Sequence, residues 1–549
     1  MLKVIEYPAD TEGECGWGTT AEGSLCPTAG CKRCPNGPET ASVHVDCFNL
    51  YNRTVQGSDK MARLFHTASW THPWKDAPAL HLEPAKVVDN CRALRVAAQA
   101  CGLPGLLNLP LELADIVSEF ASDSALFRLS SVLDLIDYTN TGGKFKAMWK
   151  VPIQDIASWE RGAEPVMENG VSDKPFIHLV IDARGLRQIC RVAEIPAPSE
   201  DRYDDLAFVL EHELCFKDVT VDFDMNLGHL NMPKEMPHQF KLWDRPYPPP
   251  LEESLIYHTA VARQSLALRT IDLDACMGLT FFMTSKDTYA IHAHTRAQPT
   301  ARETFEKLSP HHQDICSWVY VPFALHDQVQ GFGVRRSITD GGHLLNNPAY
   351  LFRTELAGDF SVGSDEKRTS RHVFTLTGPG TKLVHNIAEN GPLSIVGAFP
   401  QNREHPVHID TSQMPPLATP RIGRGCFSTA PLRGVAGITV FEDAVTRYCK
   451  GIIIDYENGG ARAIGQCRIG EDPYVFYEHP VSLCMAPVGE RKPSMRWGYG
   501  ECMVVAVGSE RVTVPLFDNG KRLEWCQYPL RGEMQFWFDR WTSQMLIAA

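Results

Sequence analysis

Cys31-Lys-Arg-Cys34 and His44-Val-Asp-Cys47 are the residues whose types and spacing come nearest to a chemical site. In each pair two residues intervene, so a tight turn can aim both side chains at one ion. Two such pairs supply the four donors of a tetrahedral structural zinc site. Gly30, Pro35, Gly37 and Pro38 provide the sharp turns a zinc knuckle needs. The segment has little apolar material, so a metal could stand in for a core. Cys15 and Cys26 are alternates for His44 in the ligand set. The alternative is a group of free thiols in a loop-rich region.

A second pair is His292-Ala-His294, which would put two imidazoles on one face of a strand. His311, His312, His326 and Asp327 follow nearby, yet no carboxylate motif completes a ligand set. Satisfied core or surface histidines are therefore the preferred reading, and a metal-dependent enzyme built on His292 and His294 the weaker one. Glu211-His212-Glu213 reads as a solvated helix end. Nucleophile elbows, Walker loops and dinucleotide fingerprints are missing, and Gly378-Pro379-Gly380-Thr381-Lys382 reads as a turn. No residue is assigned a catalytic role, which favours a binding protein over an enzyme. Trp243, Trp318, Trp497, Trp525, Trp537 and Trp541 are expected as core and lid residues.

Bulk properties narrow the classes further. A chain of 549 residues exceeds what one core usually serves, so several domains are expected. Hydrophobic residues at 44% and charged residues at 22% are ordinary globular values. A net charge of −13 argues against nucleic acid and anionic membranes as partners. No run of eighteen apolar residues occurs, and the stretch from Arg95 to Ala114 is broken by Pro104 and Pro110. Met1-Leu2-Lys3-Val4-Ile5-Glu6 is too short and acidic to begin a secretory signal. Seventeen scattered cysteines suit a reducing compartment. An intracellular protein, cytoplasmic or nuclear, is expected.

The elements that would position a site come next. From Glu83 to Gly102 the pattern is helical, with Val87, Cys91, Leu94 and Ala98 recurring and Gly102 as the stop. Pro110 suits a first helical turn. Leu113, Ile116, Val117 and Phe120 then form one apolar face. Ser122-Asp123-Ser124 offers a fresh cap, and Leu126, Leu129, Val132 and Leu133 make the stripe of a second helix.

With its Leu109-Pro110-Leu111-Glu112-Leu113 start and its Leu126, Leu129, Val132 ladder, the segment resembles an F-box over roughly residues 105–149. Val132 falls close to the family spacing from Pro110. The sequence departs afterwards, where Leu133-Asp134-Leu135-Ile136-Asp137 replaces the expected polar turn and Trp. The resemblance implies docking on a Skp-type adaptor of a ubiquitin ligase through Leu109, Pro110, Leu113, Ile116, Phe120, Leu126, Leu129 and Val132. A plain helical hairpin packed on the downstream domain is the alternative.

Beyond Trp149 the texture becomes β. Phe176-Ile177-His178-Leu179-Val180-Ile181 reads as a buried strand. Proline-rich breaks occur at 196–199, 246–250 and 415–420. Asn458-Gly459 and Asn519-Gly520 between strand-like runs signal hairpins. With the runs 438–441 and 503–507 they predict an antiparallel sandwich or barrel. Gly437-Ile438, Gly451-Ile452 and Tyr456-x-Asn458-Gly459 distantly resemble a jacalin-type lectin strand pattern. Together with Arg353-Thr354-Glu355-Leu356-Ala357-Gly358, the segment from Tyr456 to Cys467 and the helix pair resemble large F-box-like proteins of filamentous fungi with a long β-rich tail. The expected class is α+β, with a Cys-rich segment over 1–80, a helical F-box-like module over 81–150, a mainly β region over 151–420 and an antiparallel β domain over 421–549. The expected function is an adaptor presenting its β-rich region to a protein target. A stand-alone lectin-like or peptide-binding protein with structural helices is the alternative.

Overall fold

In the computed structural model the described residues are 2–6, 40–57, 60–75, 91–110, 124–141, 149–168, 173–199, 201–224, 227–233, 239–249, 255–258, 266–337, 348–364, 370–377, 382–387, 391–399, 425–490, 500–508, 517–518 and 521–548, with scattered single positions besides. They fall into two compact units, one of residues 1–249 with 262–267, the other of 250–261 with 268–549. The expected borders near 80, 150 and 420 lie inside these units.

The first unit carries four helices among its described residues. These are α1 (Val45–Thr54), α2 (Lys60–Ser69), α3 (Cys91–Ala100) and α4 (Ala125–Thr141). Phe48 and Tyr51 of α1 and Leu64 and Phe65 of α2 meet Ile136 of α4 in one small core. The Tyr51 hydroxyl donates to the Lys60 carbonyl at 3.1 Å, tying α1 to the start of α2. Gly102, at φ +71°, ends α3. Leu103 N–H bonds the Ala98 carbonyl (2.8 Å) and Gly102 N–H that of Gln99 (3.1 Å), so the last carbonyls of α3 are satisfied.

The strands of this unit are antiparallel wherever they pair. One series runs Lys241–Trp243, Leu206–His212, Phe176–Asp182, Gly185–Val192, Ile156–Glu160, Val166–Met167. A three-stranded sheet holds Leu227–Asn231, Thr220–Asp224 and Trp149–Pro152. Strand Phe176–Asp182 is buried on both faces, as its mostly apolar run, interrupted by His178, leads one to expect. Ile177, Leu179 and Ile181 join Val209, Ile189, Phe216 and Trp74 in the core of the unit. Glu211-His212-Glu213 is not a helix end. Residues 206–212 pair with 176–182, which makes His212 the end of a strand and Glu213 the start of a short 3-10 turn. There the Glu213 carboxylate accepts from the buried Arg191 guanidinium at 2.9 Å.

The second unit is predominantly β. A seven-stranded antiparallel sheet runs Ser370–Thr377, Val329–Ser337, Ala349–Thr354, Gly358–Ser364, Cys426–Pro431, Glu533–Phe538, Ser543–Ala548. Another runs Tyr474–Glu478, Val435–Glu442, Cys449–Tyr456, Gly500–Gly508, Ser482–Glu490, Cys526–Pro529, with Ala461–Gly465 also on Cys449–Tyr456. Phe332, Phe352 and Phe360 of the former meet Ile438, Val440, Ile452 and Ile454 of the latter in one core. Alternate side chains of each strand point to the same face, so the period-two runs become the buried layer. The Asn458-Gly459 turn joins paired strands, Gly459 at φ +86°. The chain is α+β with a large β-rich region.

Candidate functional site

Between α3 and α4 the chain makes a short 3-10 turn, Pro104–Asn108. Leu109 N–H closes it on the Leu106 carbonyl (3.3 Å), and Leu113 N–H then bonds the Pro110 carbonyl (3.0 Å). Leu106 is half-buried against Ala97, Ala98 and Leu126. The residues around it point out: Leu103 and Pro110 are exposed, as are Leu109 (37%) and Leu113 (46%). An apolar stretch is thus held outward by a well-bonded turn.

Helix α4 behaves differently. Leu126 and Phe127 are buried with Ala97 and Ala98 of α3, and Leu129 is half-buried beside them. One turn on, Val132 and Leu133 pack toward Phe48, Tyr51 and Phe65. The structure therefore divides the eight expected docking residues. Leu109, Pro110 and Leu113 face outward, and Leu126, Leu129 and Val132 serve the interior. Ile116 and Phe120 lie outside the described residues.

Of the expected zinc ligands, Cys15, Cys26, Cys31 and Cys34 lie outside the described residues. His44 ends strand Thr40–His44, and Cys47 sits in the first turn of α1. The Cys47 thiol is free, and burial pushes its pKa up. Among the described residues His44 Nδ1 is buried without a hydrogen-bond partner, 3.6 Å from Asp46 Oδ2. Among the described residues no three His, Cys, Asp or Glu side chains group as a metal site.

His292 and His294 lie on strand Thr288–His294. His294 Nε2 meets Thr280 Oγ1 at 2.7 Å and its Nδ1 meets the Pro299 carbonyl at 2.8 Å. His292 Nδ1 meets Thr304 Oγ1 at 2.8 Å, and its Nε2 the Gln298 carbonyl at 3.3 Å. A carbonyl can only accept, so Nδ1 of His294 and Nε2 of His292 carry the protons and the threonine hydroxyls donate to the other nitrogens. All four ring nitrogens are used, which leaves none for a metal. Burial lowers the His294 pKa, consistent with a neutral ring. Trp243, Trp318 and Trp537 are buried and Trp541 is exposed, while Trp497 lies outside the described residues.

Two constellations have no sequence signal. In the first unit His66 Nδ1 lies 2.6 Å from Asp224 Oδ2. The His66 ring stacks on Trp70 at 4.6 Å, and Trp70 on His229 at 5.5 Å. Burial, then the charges of His66 and His72, lower the His229 pKa to about 3. The partners are far apart in sequence and share no motif, so pattern reading had nothing to find.

In the second unit the turn 355–357 is gripped by three side chains. The Asp327 carboxylate accepts from Leu356 N–H (2.7 Å) and Ala357 N–H (3.3 Å). Asn458 Nδ2 donates to the Leu356 carbonyl (2.7 Å). Arg462 Nη2 donates to the Ala357 (2.6 Å) and Asp359 (2.8 Å) carbonyls, and its guanidinium lies 5.1 Å from the Phe360 ring centre. The segments Arg353–Gly358 and Tyr456–Cys467, far apart along the chain, are thus in contact.

Comparison of the chain with known family models finds no match, and a search of curated proteins likewise finds none.

Proposed function

We propose that the chain is an F-box-like adaptor that docks on a Skp-type scaffold protein of a ubiquitin ligase and presents its β-rich unit to a protein target. The observation that carries this reading is the outward placement of Leu109, Pro110 and Leu113 on a hydrogen-bonded turn. Solvent-exposed apolar side chains close together in sequence mark an interaction site more often than scattered single ones do. Docking uses this front edge, while Leu126, Leu129 and Val132 support it from below. The adaptor acts by proximity, holding a target beside the transfer machinery with no chemistry of its own. It works inside the cell, in cytoplasm or nucleus, without nucleic acid or membrane as partner. Among the described residues no helix is long and apolar enough to cross a membrane.

The test is a pull-down of the full chain with a purified Skp-type protein. Retention is expected, with loss on Pro110→Asp. No retention of the native chain would overturn the reading. The inward stripe of α4 favours a second reading, a stand-alone β-rich binding protein whose helices are structural. That reading predicts no retention from a fully folded chain.

A structural zinc ion held by Cys31, Cys34, His44 and Cys47 is part of the proposal. The buried Nδ1 of His44, without a hydrogen-bond partner among the described residues, fits such a donor set. Zinc would replace apolar burial at the N-terminal segment. Elemental analysis of the purified chain should find one zinc, lost on Cys31→Ser. A chain without zinc, or zinc that survives that substitution, would remove the assignment.

A further inference from the structure

Strand Tyr474–Glu478 forms one edge of its sheet, pairing with Val435–Glu442 on one side and with no strand on the other among the described residues. The face of Tyr474 (62% exposed) and Phe476 (54%) is open, while on the other face Val475 is 37% exposed and Tyr477 packs against the core. The pairing register shows which backbone groups remain free. Glu442 N–H bonds the Pro473 carbonyl, and His479 N–H bonds the Ala436 carbonyl. Directly opposed residues alternate between bonded and non-bonded pairs in an antiparallel ladder. With Val475 opposite Val440 and Tyr477 opposite Ile438, those two residues turn their N–H and C=O inward. Tyr474, Phe476 and Glu478 turn theirs outward, a row of three donors and three acceptors without strand partners. Pro473 and Pro480 bracket the row and limit its length.

The side chains of those same three residues share one face. The Phe476 ring lies over Gly437, where a Cβ would meet Phe476 Cε2 at 2.7 Å and Asp455 Oδ2 at 3.5 Å. A side chain at 437 would therefore displace this ring from its place near the Asp455 carboxylate. Asp455 has no ion-pair partner among the described residues. Glu478 is 77% exposed, with His479 at 3.8 Å as its one ion-pair contact among the described residues. Two aromatic rings, two under-compensated carboxylates and a free strand edge thus converge on one surface.

We infer that an extended, basic segment of a partner protein adds as a strand along Tyr474–Glu478, with a Lys or Arg side chain lying over Phe476 between Asp455 and Glu478. Strand addition takes its affinity from main-chain hydrogen bonds and its specificity from alternate side chains. A cation over an aromatic face beside carboxylates supplies that specificity. The charge of −13 on the chain favours approach of a basic partner. The site lies within the second unit, and its argument is independent of the helical module.

The experiment uses the full-length chain and a labelled peptide of alternating valine with lysine and arginine, read by fluorescence anisotropy. A matched peptide with glutamate at the basic positions is the control. Saturable binding of the basic peptide alone is expected, weakened at least tenfold by Glu478→Lys. Phe476→Pro should abolish it, because proline removes an outward N–H and leaves the inward ladder intact. Equal binding of both peptides, or binding insensitive to both substitutions, would overturn the inference. So would self-association of the chain without peptide that Phe476→Pro removes, since a second copy would then be the occupant. Because Glu478 is exposed, Glu478→Lys tests the idea even if the proline variant fails to fold.

Discussion

Two buried imidazoles of the first unit, those of His178 and His229, are held in their neutral form by burial. His178, stacked between Phe208 and Tyr247, has its pKa lowered to about 4 by burial, and that of His229 falls to about 3. The unfolded chain protonates its histidines near pH 6.5. Below that pH the unfolded state binds protons that these two rings refuse in the folded state. Stability is therefore full above pH 6.5 and falls as pH drops toward 4. A single such ring costs about 2 kcal/mol on going from pH 7 to pH 5. Denaturant melts at the two pH values should show His229→Gln reducing the drop by about that amount. An unchanged drop would mean that His229 is protonated in the folded protein. Local sequence reads the number of histidines but not this property, because the depressed value comes from packing by remote residues such as Trp70.

At the scale of elements, α3, the 3-10 turn and α4 do two jobs with similar-looking residues. Leu109 and Leu126 both belong to the apolar pattern that suggests a docking module, yet only Leu126 is enclosed. Leu126→Ala should cost about 2–5 kcal/mol, the range for deleting a buried leucine side chain. Leu109→Ala should cost under about 0.5 kcal/mol, as surface substitutions usually do. Equilibrium unfolding of the two variants checks both numbers, and equal losses would mean that Leu109 also serves the interior. The pattern was legible where chemistry is local. Gly102 marks the end of α3, and Asn458-Gly459 marks a hairpin, because each needs a particular backbone conformation at one position. Helices α1 and α2 were not foreseen. Phe48, Tyr51, Leu64 and Phe65 have helical spacing, but the two runs are short and their apolar faces are completed by the remote Ile136.

At the scale of the whole molecule, the alternation of apolar residues indicated a large β-rich region, and that region is present. The sequence could not foresee that one small helical core joins residues near 48 and 64 to residues near 136, because that contact is non-local. Nor could it foresee the grip of Asp327, Asn458 and Arg462 on the turn 355–357. Each of those residues is ordinary in its own neighbourhood, and only the sheet order brings them together. The two histidines of Thr288–His294 illustrate the same limit. Their spacing alone is compatible with a metal, and the positions of Thr280, Thr304 and two carbonyls show all four ring nitrogens engaged within the fold.

The order of strands in the second unit also bears on how the protein can be made. Cys426–Pro431 lies between Gly358–Ser364 on one side and Glu533–Phe538 on the other. During synthesis, residues 426–431 emerge roughly 5–20 s before their second neighbour, at ordinary elongation rates. Throughout that interval Phe427 and its flanking amides wait with one side unmatched, a template for any stray strand. A nascent chain stalled before position 533 should therefore engage chaperones, and one carried past 548 should let them go.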